Sequence, residues 1–387
     1  MYRRMLGGAL LLAIALPAGA SAARMKTVEV STGGFSIALP SSWVNVTSAA
    51  PSVLQKLEQV PAFKAFAQSA SQNGSLKLIA ADPSSNGSAY MDTGVARVGN
   101  VPLEAVATAT VKALKQTLGK GGSVTSKKVQ LGAGPAYLLH LARKGSPNET
   151  DEYLLVKDQI EYVLVYVAPE AQWKNRAASF ASSAKSFHLV PAPDLSHVVL
   201  SQKQVGPGYK VGNFPFGSSF IGEPTLDLCA ASYPSETQRT ARLQVRYSHK
   251  GGGVDVSNEV VRYASGGAAQ ALKEVGAVAQ ACAAKSAVIT NGTLKETYSV
   301  SPLQDPKLPA GAVVVKLTIT VSKGKQHQTQ TGVAIYQIKG DTLSGIYAFV
   351  GKGTTFAETE KIAFHAAEES AKNLGLELSN GKSPFKA

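Results

Sequence analysis

The stretch Glu152-Tyr153-Leu154-Leu155-Val156-Lys157-Asp158-Gln159-Ile160-Glu161-Tyr162-Val163-Leu164-Val165-Tyr166-Val167 decides how this chain is read. Two runs rich in apolar, β-branched and aromatic residues flank the tight turn Lys157-Asp158-Gln159, which predicts an antiparallel hairpin. The second run is almost wholly apolar, as suits a strand in the middle of a sheet covered on at least one face. Behind it Trp173, Ala177, Phe180, Ala184 and Phe187 recur four, three, four and three residues apart. That spacing is a helical stripe for core packing.

Working outward toward the N-terminus, strands are expected at residues 123–131 and 136–142, and a helix at 103–118 with Val106, Thr110, Leu114 and Leu118 on one side. Further strands fit residues 75–81 and 94–98, and two short helices fit residues 51–71, where Pro61 stands at a helix start. Residues 34–40 alternate with period two and stop at Pro40, so Phe35, Ile37 and Leu39 should share a buried face, with Trp43 as a core anchor.

Toward the C-terminus, Val190-Pro191-Ala192-Pro193-Asp194 is a proline-stiffened joint. Beyond it strands fit residues 226–230, 242–248 and 257–263, with Gly251-Gly252-Gly253 turning between the last two. A helix at 267–283 carries Leu272, Val275, Ala279 and Cys282 on one stripe, and strands follow at 294–300, 313–322, 332–338 and 343–350. A closing helix presents Phe364, Ala367, Ala371 and Leu374. Both halves therefore end as a hairpin followed by an amphipathic helix. Sheet and helix segregate in runs instead of alternating strictly, which predicts an α+β protein of two tandem α/β sandwich domains with mainly antiparallel sheets.

The first residues set the compartment. Arg3 and Arg4, an apolar run from Leu6 to Leu16 and the small-residue site Ala20-Ser21-Ala22 read as a signal peptide over residues 1–22. The run is shorter than the roughly 20 residues a membrane helix needs. The expected organisation is then a domain at 23–190, a linker at 191–196 and a second domain at 197–387, in a secreted protein that is extracellular or periplasmic and has no transmembrane segment. Formal charge is +13 on 387 residues, of which Arg3 and Arg4 give +2, residues 23–190 give +6 and residues 191–387 give +5. A nucleic-acid site concentrates its Lys and Arg, and an even excess does not, so no nucleic-acid partner is expected. The excess favours at most peripheral contact with an anionic envelope.

Both cysteines, Cys229 and Cys282, lie in the second half. In an exported chain a disulfide is the economical reading; the rival, a nucleophilic or metal-binding thiol, needs a nearby histidine that the sequence does not place. The six histidines are scattered, with no HExxH, so no metal is expected. There is no GxSxG elbow. The run from Gly345 to Lys352 misses the phosphate-loop spacing and reads as a strand-to-helix turn. Glu149, Asp151 and Glu152 read as a solvated hairpin rim. The stretch from Gly212 to Phe220 is the most site-like: Phe214, Phe216 and Phe220 stand in a turn-rich segment that can line a ligand or partner surface, or tuck under the sheet as local core.

Residues 33–190, with the Gly34-Phe35 strand running to Pro40 and Trp43 and the Tyr162–Val167 strand followed by a helix ending Ser186-Phe187, resemble the Mog1/PsbP-like fold, an α/β/α sandwich. The resemblance implies an adaptor-type binding module. Residues 197–377 are similar to the extracellular sensor domain of PknH and its secreted relatives, on Leu226-Asp227-Leu228-Cys229, Tyr233-Pro234-Ser235, residues 239–246, residues 257–263 and the helix ending in Cys282. That resemblance implies cysteines paired as disulfides and a domain that senses an extracellular ligand. The function expected is a secreted, non-catalytic binding or sensory module of the cell envelope, without a cofactor, recognising a small ligand or an envelope protein. The alternatives are a cofactor-free extracytoplasmic hydrolase and a structural adaptor.

Overall fold

The alternation at Phe35, Ile37 and Leu39 puts three side chains on one face of a strand. All three are fully buried in the computed structural model, which describes residues 24–47 and 74–378. The expected signal peptide and the two helices placed at 51–71 lie outside the described residues. The strand itself, β2 (Phe35–Pro40), pairs antiparallel with β1 (Met25–Val30) and with β10 (His188–Leu189) in a small sheet.

The hairpin read first in the sequence is the centre of a seven-stranded antiparallel sheet. Its order is β3 (Val44–Asn45), β4 (Leu76–Ala81), β5 (Tyr90–Arg97), β9 (Ile160–Pro169), β8 (Asn148–Lys157), β7 (Gly134–Arg143) and β6 (Gly122–Leu131). Alternate residues of β9 serve two cores. Tyr162, Leu164 and Tyr166 face helix α2 (Glu170–Lys185), whose Phe180 packs its ring against Tyr166, Trp43 and Trp173. Val163 faces α1 (Leu103–Leu118) on the other side of the sheet. The fully buried residue of α1 is Ala107, flanked by Leu103, Val111 and Leu114, so its stripe is turned from the one expected on Val106 and Thr110. A methyl-sized side chain at the centre lets the helix axis approach the sheet.

The second half forms an eight-stranded antiparallel sheet ordered β11 (Tyr209–Asn213), β12 (Arg239–His249), β13 (Asp255–Tyr263), β18 (Thr342–Phe349), β17 (Gln326–Lys339), β16 (Val313–Lys323), β15 (Leu294–Pro302) and β14 (Ala287–Asn291). Strand for strand this is the order of the seven-stranded sheet with β14 added at one edge. In each sheet an early hairpin (β4–β5, β12–β13) pairs with the last strand of a later meander, and a helix joins the two parts. The shared hairpin-then-helix ending seen in sequence is thus part of one repeated topology. Helix α3 (Gly267–Ala284) covers one face through Val275, Ala279 and Cys282. Helix α4 (Phe356–Asn373), started by a capping box between Thr355 and Glu358, covers the other through Ala363, Ala366 and Ala367. The architecture is α+β with antiparallel sheets.

Two sequence expectations fail locally. Residues 226–230 are not a strand: Leu228–Ala230 is a single 3₁₀ turn, and Cys229 and Ala230 have φ of 55° and 49°, which no strand accommodates. Gly345 is not in a strand-to-helix turn but inside β18, opposite Tyr336 of β17 and Glu259 of β13.

Candidate functional site

On the α3 face of the eight-stranded sheet, strand alternation lines up Tyr298, Leu317, Ile319, Tyr336, Tyr347 and Phe349, all on one side. Helix α3 covers only part of this face, and a cavity of about 230 Å³ remains beside it. In the row Glu259, Gly345, Tyr336, the middle position has no side chain; a Cβ there would come within 3.2 Å of the Tyr347 ring. The missing side chain leaves Tyr347 its place against the edge of Tyr336, with ring centroids 5.7 Å apart and nearly perpendicular.

The roof is the segment joining β11 to β12. Phe214, Pro224, Thr225, Asp227 and Leu228 line the cavity from above. The segment lies tightly on β12: Gly217 O accepts from Gln244 N, and a Cβ on Gly217 would sit 2.6 Å from Gln244 O, so only glycine fits that crossing. The three phenylalanines singled out by sequence do not converge. Phe214 lines the cavity, whereas Phe216 is 43% exposed and carries the Arg97 guanidinium 3.4 Å from its ring centroid. Phe220 packs with Ile221 into the core of the first half. Arg97 also pairs with Glu223 at 2.5 Å, so the same segment roofs the cavity and is clamped to β5.

Cys229 and Cys282 are disulfide-bonded, joining the turn after Leu228 to α3. Tyr233 adds a second tie, its hydroxyl donating to Leu228 O at 2.8 Å. The bond therefore fixes the wall that presents Asp227 and Leu228.

The polar end of the cavity holds three charges. Arg242 and Glu259 form a buried ion pair, with Arg242 Nη1 also donating to the carbonyls of Phe216 and Ser219 and Nη2 to Gln244. Burial outweighs the arginine and holds the Glu259 carboxyl up at about 7. Asp227 is exposed to solvent yet closely surrounded by protein, and that partial desolvation, offset first by its own backbone N–H and then by Arg242, raises its pKa. Among the described residues no cation forms an ion pair with it. The Tyr336 hydroxyl is fully buried, with the Tyr347 phenol as its polar neighbour. Burial holds the Tyr336 and Tyr347 phenols neutral, with Asp227 adding to the effect.

The seven-stranded sheet differs in chemistry. His140 hydrogen-bonds Asp151 at 2.9 Å, lies 3.5 Å from Glu149, and rests near Trp173. Asp151 is buried and Glu152 half-buried, so these carboxylates belong to the middle of β8 and not to a solvated rim. Glu152 is pushed up to about 7, chiefly by burial and then by Glu161 and Asp92, and Asp92 to about 6 by burial. Sequence spacing missed this cluster because its members come from three strands brought together only by the β5–β9–β8 register. Among the described residues no group of three or more His, Cys, Asp and Glu is placed to hold a metal ion.

No protein-family description and no curated protein matches the chain. Among solved structures it is similar to the cyanobacterial PsbP (CyanoP) of Synechocystis sp. PCC 6803, at 12% identity over 48% of this chain and 98% of that one, with a TM-score of 0.30. It is similar to the extracellular domain of PknH from Mycobacterium tuberculosis at 15% identity, 47% and 98% coverage and a TM-score of 0.32. The Saccharomyces cerevisiae Ran-binding protein Mog1p matches at 10% identity, 43% and 96% coverage and a TM-score of 0.27. Both families that the sequence resembles are met among these structures. At such identities the likeness concerns the fold alone. No helix among the described residues is long and apolar enough to cross a membrane.

Proposed function

We propose that the chain is an exported binding module of the cell envelope, with a leader at 1–22, domains at 23–190 and 197–387 joined by 191–196, and its ligand site in the cavity under the β11–β12 connection. One observation carries the reading: a cavity of about 230 Å³ is walled by Phe214, Tyr298, Tyr336, Tyr347 and Phe349, with Asp227 among its lining, the mostly apolar pocket with few polar groups that suits a small ligand. The lining supports binding over chemistry. It contains no histidine or thiol, and its one basic side chain is engaged by Glu259, Gln244 and backbone carbonyls. The disulfide suits an oxidising compartment.

Native mass spectrometry of the mature protein from cells that export it tests both parts. The expected mass begins at Ala23 with Cys229 and Cys282 oxidised, and a small-molecule adduct is released on denaturation. Ser257→Trp, which fills the cavity from β13, should lose the adduct and keep the disulfide. An adduct unchanged in that variant places the ligand elsewhere, and no adduct in either protein sinks the reading.

A further inference from the structure

We propose that the cavity recognises a small organic cation: an ammonium group set against Asp227, with its apolar body against the tyrosine wall. The inference rests on the cavity being a ligand site and adds the class of ligand. It begins with which charges are spent. Each nitrogen of the Arg242 guanidinium already donates to a protein acceptor, Nε to Glu259, Nη1 to the carbonyls of Phe216 and Ser219, and Nη2 to Gln244. It therefore offers an anion no free bidentate face.

Asp227 is the charge left over. It lines the cavity, and among the described residues no cation is paired with it. Asp227 is solvent-exposed and lines the cavity, so an anionic ligand would meet its negative charge there and a neutral one would gain nothing from it. An ammonium compensates it.

The rest of the lining fits the same head group. Tyr298, Tyr336, Tyr347, Phe214 and Phe349 surround the space, and aromatic faces attract a cation strongly once water is excluded. Those phenols stay neutral: burial opposes the ionisation of all three, Tyr298 is held further by donating to Glu296 at 2.6 Å, and the charge of Asp227 adds to the effect. Leu228, Leu317 and Ile319 complete an apolar floor and side wall for the body of the ligand, and a volume of about 230 Å³ restricts that body to a small one.

Three probes sharing one ring and differing in head-group charge decide the matter: benzylammonium, benzyl alcohol and benzoate, titrated into the oxidised mature protein near neutral pH and followed by NMR. Benzylammonium should bind at least about tenfold tighter than benzyl alcohol, with benzoate weakest. In Asp227→Asn the amine and the alcohol should come within about twofold of one another while the affinity for the alcohol is kept. Asp227→Ser is read the same way should the amide variant fail to fold, with the intact disulfide and the thermal midpoint as checks. Equal binding of the three probes, or a cation preference that survives both substitutions, overturns the cation and leaves the cavity a ligand site. No binding of any probe up to about 10 mM overturns both.

Discussion

Arg242 and Glu259 stand on neighbouring strands with 6% and 3% of their side chains exposed, and the arginine also holds the roof through two carbonyls. Removing one member strands the other. Arg242→Met should lower stability at pH 8 by roughly 3–5 kcal/mol in urea unfolding, and by less at pH 5, where Glu259 takes up a proton. Glu152 gives the cleaner titration. Its folded pKa of about 7 lies above the unfolded value, so it favours the folded state fully below the unfolded pKa, and that stability is lost as pH rises through about 7. Glu152→Gln should therefore gain roughly 1–2 kcal/mol over the natural chain at pH 8, after allowance for solvent screening, less at pH 5, and almost nothing below about pH 4. Equal gains at all three pH values would refute the assignment. Neither residue is conspicuous in sequence, because each acquires its partners across strands.

At the scale of elements, the hairpin β8–β9 and the helices α1, α2, α3 and α4 were legible because their apolar periods are long and uninterrupted. Short edge strands were not: β11 and β14 are mostly exposed and lack a buried stripe to announce them. The 3₁₀ turn at Leu228–Ala230 reads as a strand in sequence because Leu226 and Leu228 alternate, yet the positive φ at Cys229 that bends it has no local signature. The site suffers the same limit. Cys229 and Cys282 declare themselves, whereas Tyr298, Tyr336 and Tyr347 meet only through a sheet register spanning β15 to β18. Cys229→Ser with Cys282→Ser removes a bond across a sequence separation of 53. It should lower stability by up to about 4 kcal/mol in denaturant titration, and it should weaken ligand binding, since it frees the wall carrying Asp227. Arg97→Ala and Phe216→Ala should each cost about 1 kcal/mol and be non-additive in a double-mutant cycle, the sign of a shared contact.

Across the whole molecule, two sheets of one strand order carry unlike surfaces. The α1 side of the seven-stranded sheet presents Asp92, Glu152 and Glu161, while the α3 side of the eight-stranded sheet presents the tyrosine-lined cavity. Ile221 and Phe220, which belong by sequence to the second half, complete the core of the first by packing with residues around Phe35 and Phe187. This bears on any attempt to dissect the chain. A fragment cut at the proline joint would leave its plug behind on the other piece, exposing an apolar socket, and should self-associate. A synthetic peptide covering residues 214–223, added in trans, should restore it to a monomer.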